Sequence, residues 1–180
     1  MNLIIKINEY EDKNIFFSEP IKNTIINEGK FIRIIYSSPQ FILNGIYLLV
    51  YIKNVNYEKY YNKYKYNFNI NSNTDVINNI LNIENTLLKK INIQNKTPVF
   101  KISEQLKNGN IKIFTNNNEN NDENDDTYFY EKINDKNSMF LLRISGIWET
   151  ELYYGITFKF SKINHLYRNI LTWFLKRIQI

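Results

Sequence analysis

Residues 139–160, "MFLLRISGIWETELYYGITFKF", decide how the chain folds on paper. Phe140, Leu142 and Ile144 alternate with other residues, and so do Tyr154, Ile156, Phe158 and Phe160. A period of two is the mark of a strand with one buried face, because successive side chains point to opposite sides. The spacing therefore predicts strands over 139–148 and 153–160, joined by the short Glu149–Leu152 connection. The even positions are the core face. Trp148 falls on that parity at the strand end and is expected to anchor the turn.

The opposite parity carries Arg143, Ser145, Tyr153, Thr157 and Lys159, with Gly155 among them. A face that holds unpaired nucleotides needs this mixture: cations for phosphates, an aromatic platform for bases, and a glycine where backbone or ligand comes close. An ordinary solvated sheet face has the same alternation, so both readings stand. Glu149 and Glu151 lie two apart, as a pair of catalytic carboxylates would in a strand. No phosphate-cradling glycine loop or Ser-His-Asp set accompanies them, so they read as solvated acids of a turn and no enzyme is expected.

Working outward, "LIIKI" (3–7), "KFIRIIYSS" (30–38), "GIYLLVYI" (45–52) and "YKYNFNI" (64–70) are rich in the Ile, Tyr and Phe that suit strands. From Ser72 to Ile91 the period changes. Val76, Ile77, Ile80, Leu81, Leu87, Leu88 and Ile91 recur at helical spacing, with Ser72 or Thr74 as the cap and Lys89 and Lys90 suiting the negative end of the helix dipole. "PVFKI" (98–102) and "NIKIF" (110–114) flank Asn108-Gly109, a pair that favours hairpin turns. In "HLYRNILTWFLKRIQI" (165–180), Leu166, Ile170, Leu171, Phe174 and Leu175 make an amphipathic stripe.

Strands, one helix, then more strands predict a mainly β chain, one domain over 1–180. The pattern is compatible with an OB-type barrel with one internal helix and a C-terminal amphipathic helix, the latter a possible surface for self-association. Such barrels bind oligonucleotides on one face.

Composition narrows the chemistry. The chain has no cysteine and one histidine, His165, which removes disulfides, thiol nucleophiles and nearly all zinc sites; no cofactor is expected. No apolar run approaches the ~20 residues of a membrane span, and "MNLIIKINEYEDK" lacks the shape of a signal peptide. The expectation is a soluble, cytoplasmic protein with no membrane association. The net charge is +5, yet "NNNENNDENDD" (116–126) holds five acids and no base, so the remainder is more basic still. A basic body with one acidic, disorder-prone loop suits a polyanion partner.

Residues 51–68, "YIKNVNYEKYYNKYKYNF", hold six Tyr, one Phe and four Lys against one acid, Glu58. Lys59, Lys63 and Lys65 are placed to neutralise phosphates and Tyr64 and Tyr66 to stack on bases. With period two, however, Tyr64, Tyr66, Phe68 and Ile70 share a face that is equally a core face, leaving Lys63 and Lys65 in solvent.

Residues 140–160 resemble a segment of the single-stranded DNA-binding proteins of nucleocytoplasmic large DNA viruses, an OB-fold family similar to short-tailed phage single-strand binders. Ile144, Ser145, Gly146, Ile147, Trp148 and Glu149 match the first part of its pattern, and Tyr154 through Phe160 the second. The Asn/Ile/Lys/Tyr bias is also similar to that of proteins encoded by cytoplasmic linear plasmids of yeasts. The resemblance implies a non-enzymatic coat for single-stranded DNA in replication of a virus or virus-like plasmid, with replication proteins as further partners. Phage members end in an acidic tail, whereas this chain ends in Lys176-Arg177-Ile178-Gln179-Ile180. The candidate binding residues are Arg143, Tyr153 and Lys159 on the late strands, Lys63, Tyr64, Lys65 and Tyr66 earlier, and Lys101 and Lys112 on the hairpin between. The alternatives are a protein-interaction subunit of a replication or transcription complex and a terminal-repeat recognition factor.

Overall fold

A computed structural model describes residues 4–26, 28–61, 63–114 and 137–163. The acidic tract at 116–126, His165 and the expected C-terminal helix lie outside the described residues. Among the described residues the protein is mainly β with two α-helices. In chain order the elements are β1 (Ile5–Lys6), β2 (Ile15–Phe17), β3 (Ile21–Lys22), β4 (Lys30–Ser37), β5 (Ile42–Asn44), β6 (Ile46–Lys53), β7 (Val55–Tyr60) and β8 (Lys63–Phe68). Then come α1 (Thr74–Ile91), β9 (Thr97–Val99), α2 (Lys101–Lys107), β10 (Asn110–Phe114), β11 (Asn137–Glu149) and β12 (Tyr153–Lys162). The first expected strand is shorter than its apolar run, because Ile7–Glu9 turns into a 3-10 helix.

The large sheet is built on β11, which pairs with β12 along one edge. On the other edge, Asn137–Ile144 pair with β6 and Gly146–Glu149 pair with β4. Thirteen residues give β11 room for both partners. Opposite β12, Ile144 faces Phe158 and Gly146 faces Thr157, so Ser145 is an extra residue. Such a bulge bends the strand and reverses the parity of everything beyond it. β1 and β9 add parallel to β6 and β12, and β4 carries β2, β3 and β5. A second, antiparallel sheet has the order β10-β8-β7.

One face of the large sheet builds the core. Ile46, Leu48, Val50 and Ile52 of β6 join Phe140, Leu142 and Ile144 of β11 and Tyr154, Ile156 and Phe160 of β12. Against them α1 buries Ile77, Ile80, Ile83, Leu87 and Leu88. Each such side chain contributes about 1.5–3 kcal/mol of burial. The helix ends at Asn92, in left-handed conformation with φ 42, whose N–H donates to Leu88 O at 3.2 Å. Its start differs from expectation, since neither Ser72 nor Thr74 caps it with a side chain. Asn73 precedes the helix and holds the end of β6 instead, accepting from Lys53 N–H at 2.8 Å and donating to Lys53 O at 3.1 Å.

The expected hairpin over 98–114 is not formed. β9 belongs to the large sheet and β10 to the small one, and α2 runs between them. Ile102 and Leu106, four apart, are both buried on one side of that helix. Gly109, at φ +64, ends the helix rather than turning a hairpin, its N–H donating to Leu106 O at 3.0 Å. Glu84 of α1 is fully buried and caps the start of α2. It accepts the N–H of Ile102 at 3.0 Å and of Ser103 at 2.7 Å, together with the Ser103 hydroxyl. Among the described residues no helix is long and apolar enough to cross a membrane.

Candidate nucleic-acid interface

Directly opposed residues on neighbouring strands point to the same side, so the register assembles the face opposite the core row by row. Tyr47, Arg143 and Lys159 form one row across β6, β11 and β12. Arg33, Gly146 and Thr157 form the next across β4, β11 and β12, and Phe31, Trp148, Gly155 and Val99 the third. No residue of these rows is acidic. Arg143, Lys159 and Arg33 are exposed, as is Tyr153 at the margin of the face.

The two glycines shape this surface. A Cβ on Gly155 would come within 2.7 Å of Trp148 Cζ2, and one on Gly146 within 2.4 Å of Phe31 Cζ. Each glycine thus lets an aromatic ring from a neighbouring position pack closely against the sheet. Both rings are half-buried: one side rests on the sheet and the remainder is exposed. Trp148 was expected on the core face. The extra residue Ser145 reverses the parity, carrying Trp148 to the open face and turning Glu149 inward.

Glu149 is therefore no solvated turn acid. It is buried and ion-paired with Lys96, whose ammonium also donates to Thr150 O at 2.6 Å. Glu151 is exposed, so the two carboxylates are not brought together.

Among the described residues no acid is ion-paired with the cations of the open face. Arg143 and Lys159 are direct cross-strand partners, an arrangement that costs stability for like charges. The Arg143 guanidinium lies 5.5 Å from the Tyr47 ring centroid, and Arg33 donates to Asn44 Oδ1 at 3.1 Å. An anion between these cations would relieve their repulsion, and a planar base has the Phe31 and Trp148 rings beside it.

The small sheet treats its run of Tyr and Lys differently. Tyr57, Lys59, Tyr64 and Tyr66 share the inward side with Ile111 and Ile113. Tyr66 is buried edge-on against Phe140 at 5.2 Å, and burial, with Tyr64 and Tyr57 nearby, pushes its hydroxyl up to about 12. Lys63, Lys65 and Lys112 share the outward side, with Lys63 4.8 Å from the ring centroid of Phe114. The expected Lys63–Tyr66 constellation is thus divided between two faces. On the outward side Lys65 is opposite both Lys112 and Glu58, so an acid offsets the like pair. Lys101 is not on a hairpin: it begins α2 and pairs with Glu104 at 2.7 Å, which lowers the pKa of that carboxyl.

The structure brings Arg143, Tyr153 and Lys159 onto one surface and adds Phe31, Arg33, Tyr47 and Trp148, which sequence reasoning did not select. Phe31 and Arg33 alternate in "KFIRIIYSS", and that alternation was their signal; the register with β11 is what gives it meaning. Among the described residues no cluster of His, Cys, Asp or Glu could hold a metal ion. In comparisons with known proteins, no family model, no curated protein and no solved structure matches the chain.

Proposed function

We propose that the protein binds single-stranded DNA without sequence preference through the open face of its large sheet. The observation that carries this reading is the pair of rings, Phe31 and Trp148, laid on Gly146 and Gly155 beside Arg33, Arg143 and Lys159. Rings packed on a glycine and still partly exposed accept any base, because every base has a π-face, and cations one row away meet the phosphates. We read β4, β6, β11 and β12 with the small sheet and α1 as an opened OB-type barrel. In line with the resemblance at residues 140–160, the protein acts in replication of a virus or virus-like plasmid in the cytoplasm.

Trp148 lies in the proposed site, so titration with oligothymidylate is expected to change its fluorescence. Three cations on phosphates give a slope of about −2 in log K against log salt. Binding that is absent, or flat with salt, overturns the reading. A second reading, docking of a protein partner, is favoured by Phe16, Ile21 and Ile42, which are exposed by 54%, 53% and 73%. They pair with Ile35, Phe31 and Ser37 on the same side of β4 as Arg33. Competition by unlabelled single strand but not by duplex supports the first reading over both a partner surface and a duplex-recognition factor.

A further inference from the structure

The inward side of the small sheet is not wholly closed over. Tyr57 is 47% exposed at the outer strand of that sheet, with its ring centroid 6.1 Å from Tyr64 and 5.8 Å from Tyr66. Tyr64 and Tyr66 are 6.3 Å apart, so the three rings form one cluster that runs from the core to the surface. Two ammonium groups flank it: Lys59 lies 5.8 Å from the Tyr64 centroid and Lys162 lies 5.6 Å from that of Tyr66.

Lys162 connects this cluster to the face already described. It is opposite Phe140 and so points to the core side of β12, whereas Lys159 is opposite Arg143 on the open side. Three residues, about 10 Å along the strand, separate a cation on one face from a cation on the other. β10, the edge strand of the small sheet, lies against β12 without ladder pairing.

We propose that Tyr57, Tyr64 and Tyr66 with Lys162 form a second nucleotide-stacking site, reached by a single strand that also occupies the open face. This rests on the reading of the open face as a single-strand site and gives it a second contact. Tyr57 offers the exposed ring, Tyr64 and Tyr66 hold it from behind, and the Lys162 ammonium supplies charge to a flanking phosphate.

The test uses the full chain and oligothymidylates of about 6 and about 20 nucleotides, lengths that bracket the span of one to two such sites. Tyr57→Ala combined with Lys162→Gln is expected to weaken binding of the long oligomer roughly five- to hundred-fold and leave the short one unchanged. Tyr57→Phe, which keeps the ring, is expected to bind both as the parent does, and matching denaturation midpoints verify folding. An unchanged affinity for the long oligomer, or an equal loss at both lengths, overturns the second site while the first stands. If the parent protein binds neither oligomer, the reading of the open face fails and this one with it.

Discussion

The two sheets draw on the same residue types and distribute them in opposite ways. Along β8 of the small sheet Lys and Tyr alternate, and strand geometry sorts them, tyrosines inward and lysines outward, while Lys59 of β7 joins the inward side. In the large sheet aromatics and cations arrive on one side together, because they come from four different strands and because Ser145 shifts the parity of β11. The charge differs too. Lys65 has Glu58 opposite it, whereas Arg143 has Tyr47 on one side and Lys159 on the other. A run that is mixed in sequence becomes separated in space, and a mixed surface has to be assembled across strands.

The most severe way to break this contrast is at the glycine under Phe31. Gly146→Val would drive a side chain into Ile32 O and the Phe31 ring, both 2.4 Å from its Cβ. We expect a loss of about 1–3 kcal/mol or more in urea unfolding, since the backbone contact cannot move aside. Next is the ring itself: Trp148→Leu keeps apolar bulk on Gly155 but removes the platform, and should cost about 1–3 kcal/mol in oligothymidylate binding.

Tyr66 marks the inward side of the small sheet by pH. Its folded pKa of about 12 exceeds the ordinary value of 10.0, so its stabilisation is full below pH 10 and is lost as pH rises through 12. Tyr66→Phe is expected to remove this part of the alkaline unfolding, measured by urea midpoints across that window. A smaller effect, on the open face, is a change of about 0.7 in the salt slope for Arg143→Gln. The smallest is a gain. Lys159→Thr should raise stability by about 0.2–1 kcal/mol while weakening binding, because it relieves a like-charge pair. Lys112→Thr, beside a lysine already offset by Glu58, should gain less.

The strands at 30–37, 46–53, 63–68, 137–149 and 153–162 and the helix at 74–91 were legible because period and element agree over long stretches. α2 was not. "PVFKI" fits an extended run and Asn108-Gly109 fits a turn, while the carboxylate that stabilises the helix, Glu84, comes from a different element. That Arg143, Tyr153 and Lys159 lie on one surface was legible because they share a parity within one segment. Trp148 was misplaced because parity was carried across Ser145, whose bulge depends on the partner strand. Phe31, Arg33 and Tyr47 become visible only through the register of β4 and β6 with β11.

Glu84 bears on the order of folding events. α2 has seven residues, too few to hold together alone in water, and its first turn is satisfied by a carboxylate of α1. The crossing from β9 to β10 therefore acquires its shape only once α1 is docked. The large sheet with α1 can come first; the small sheet, whose β10 follows α2 directly, closes last. In pulse-labelled exchange, amides of Asn110–Phe114 should gain protection after those of Ile77–Leu88. A single buried carboxylate thus makes the start of one helix depend on the docking of another.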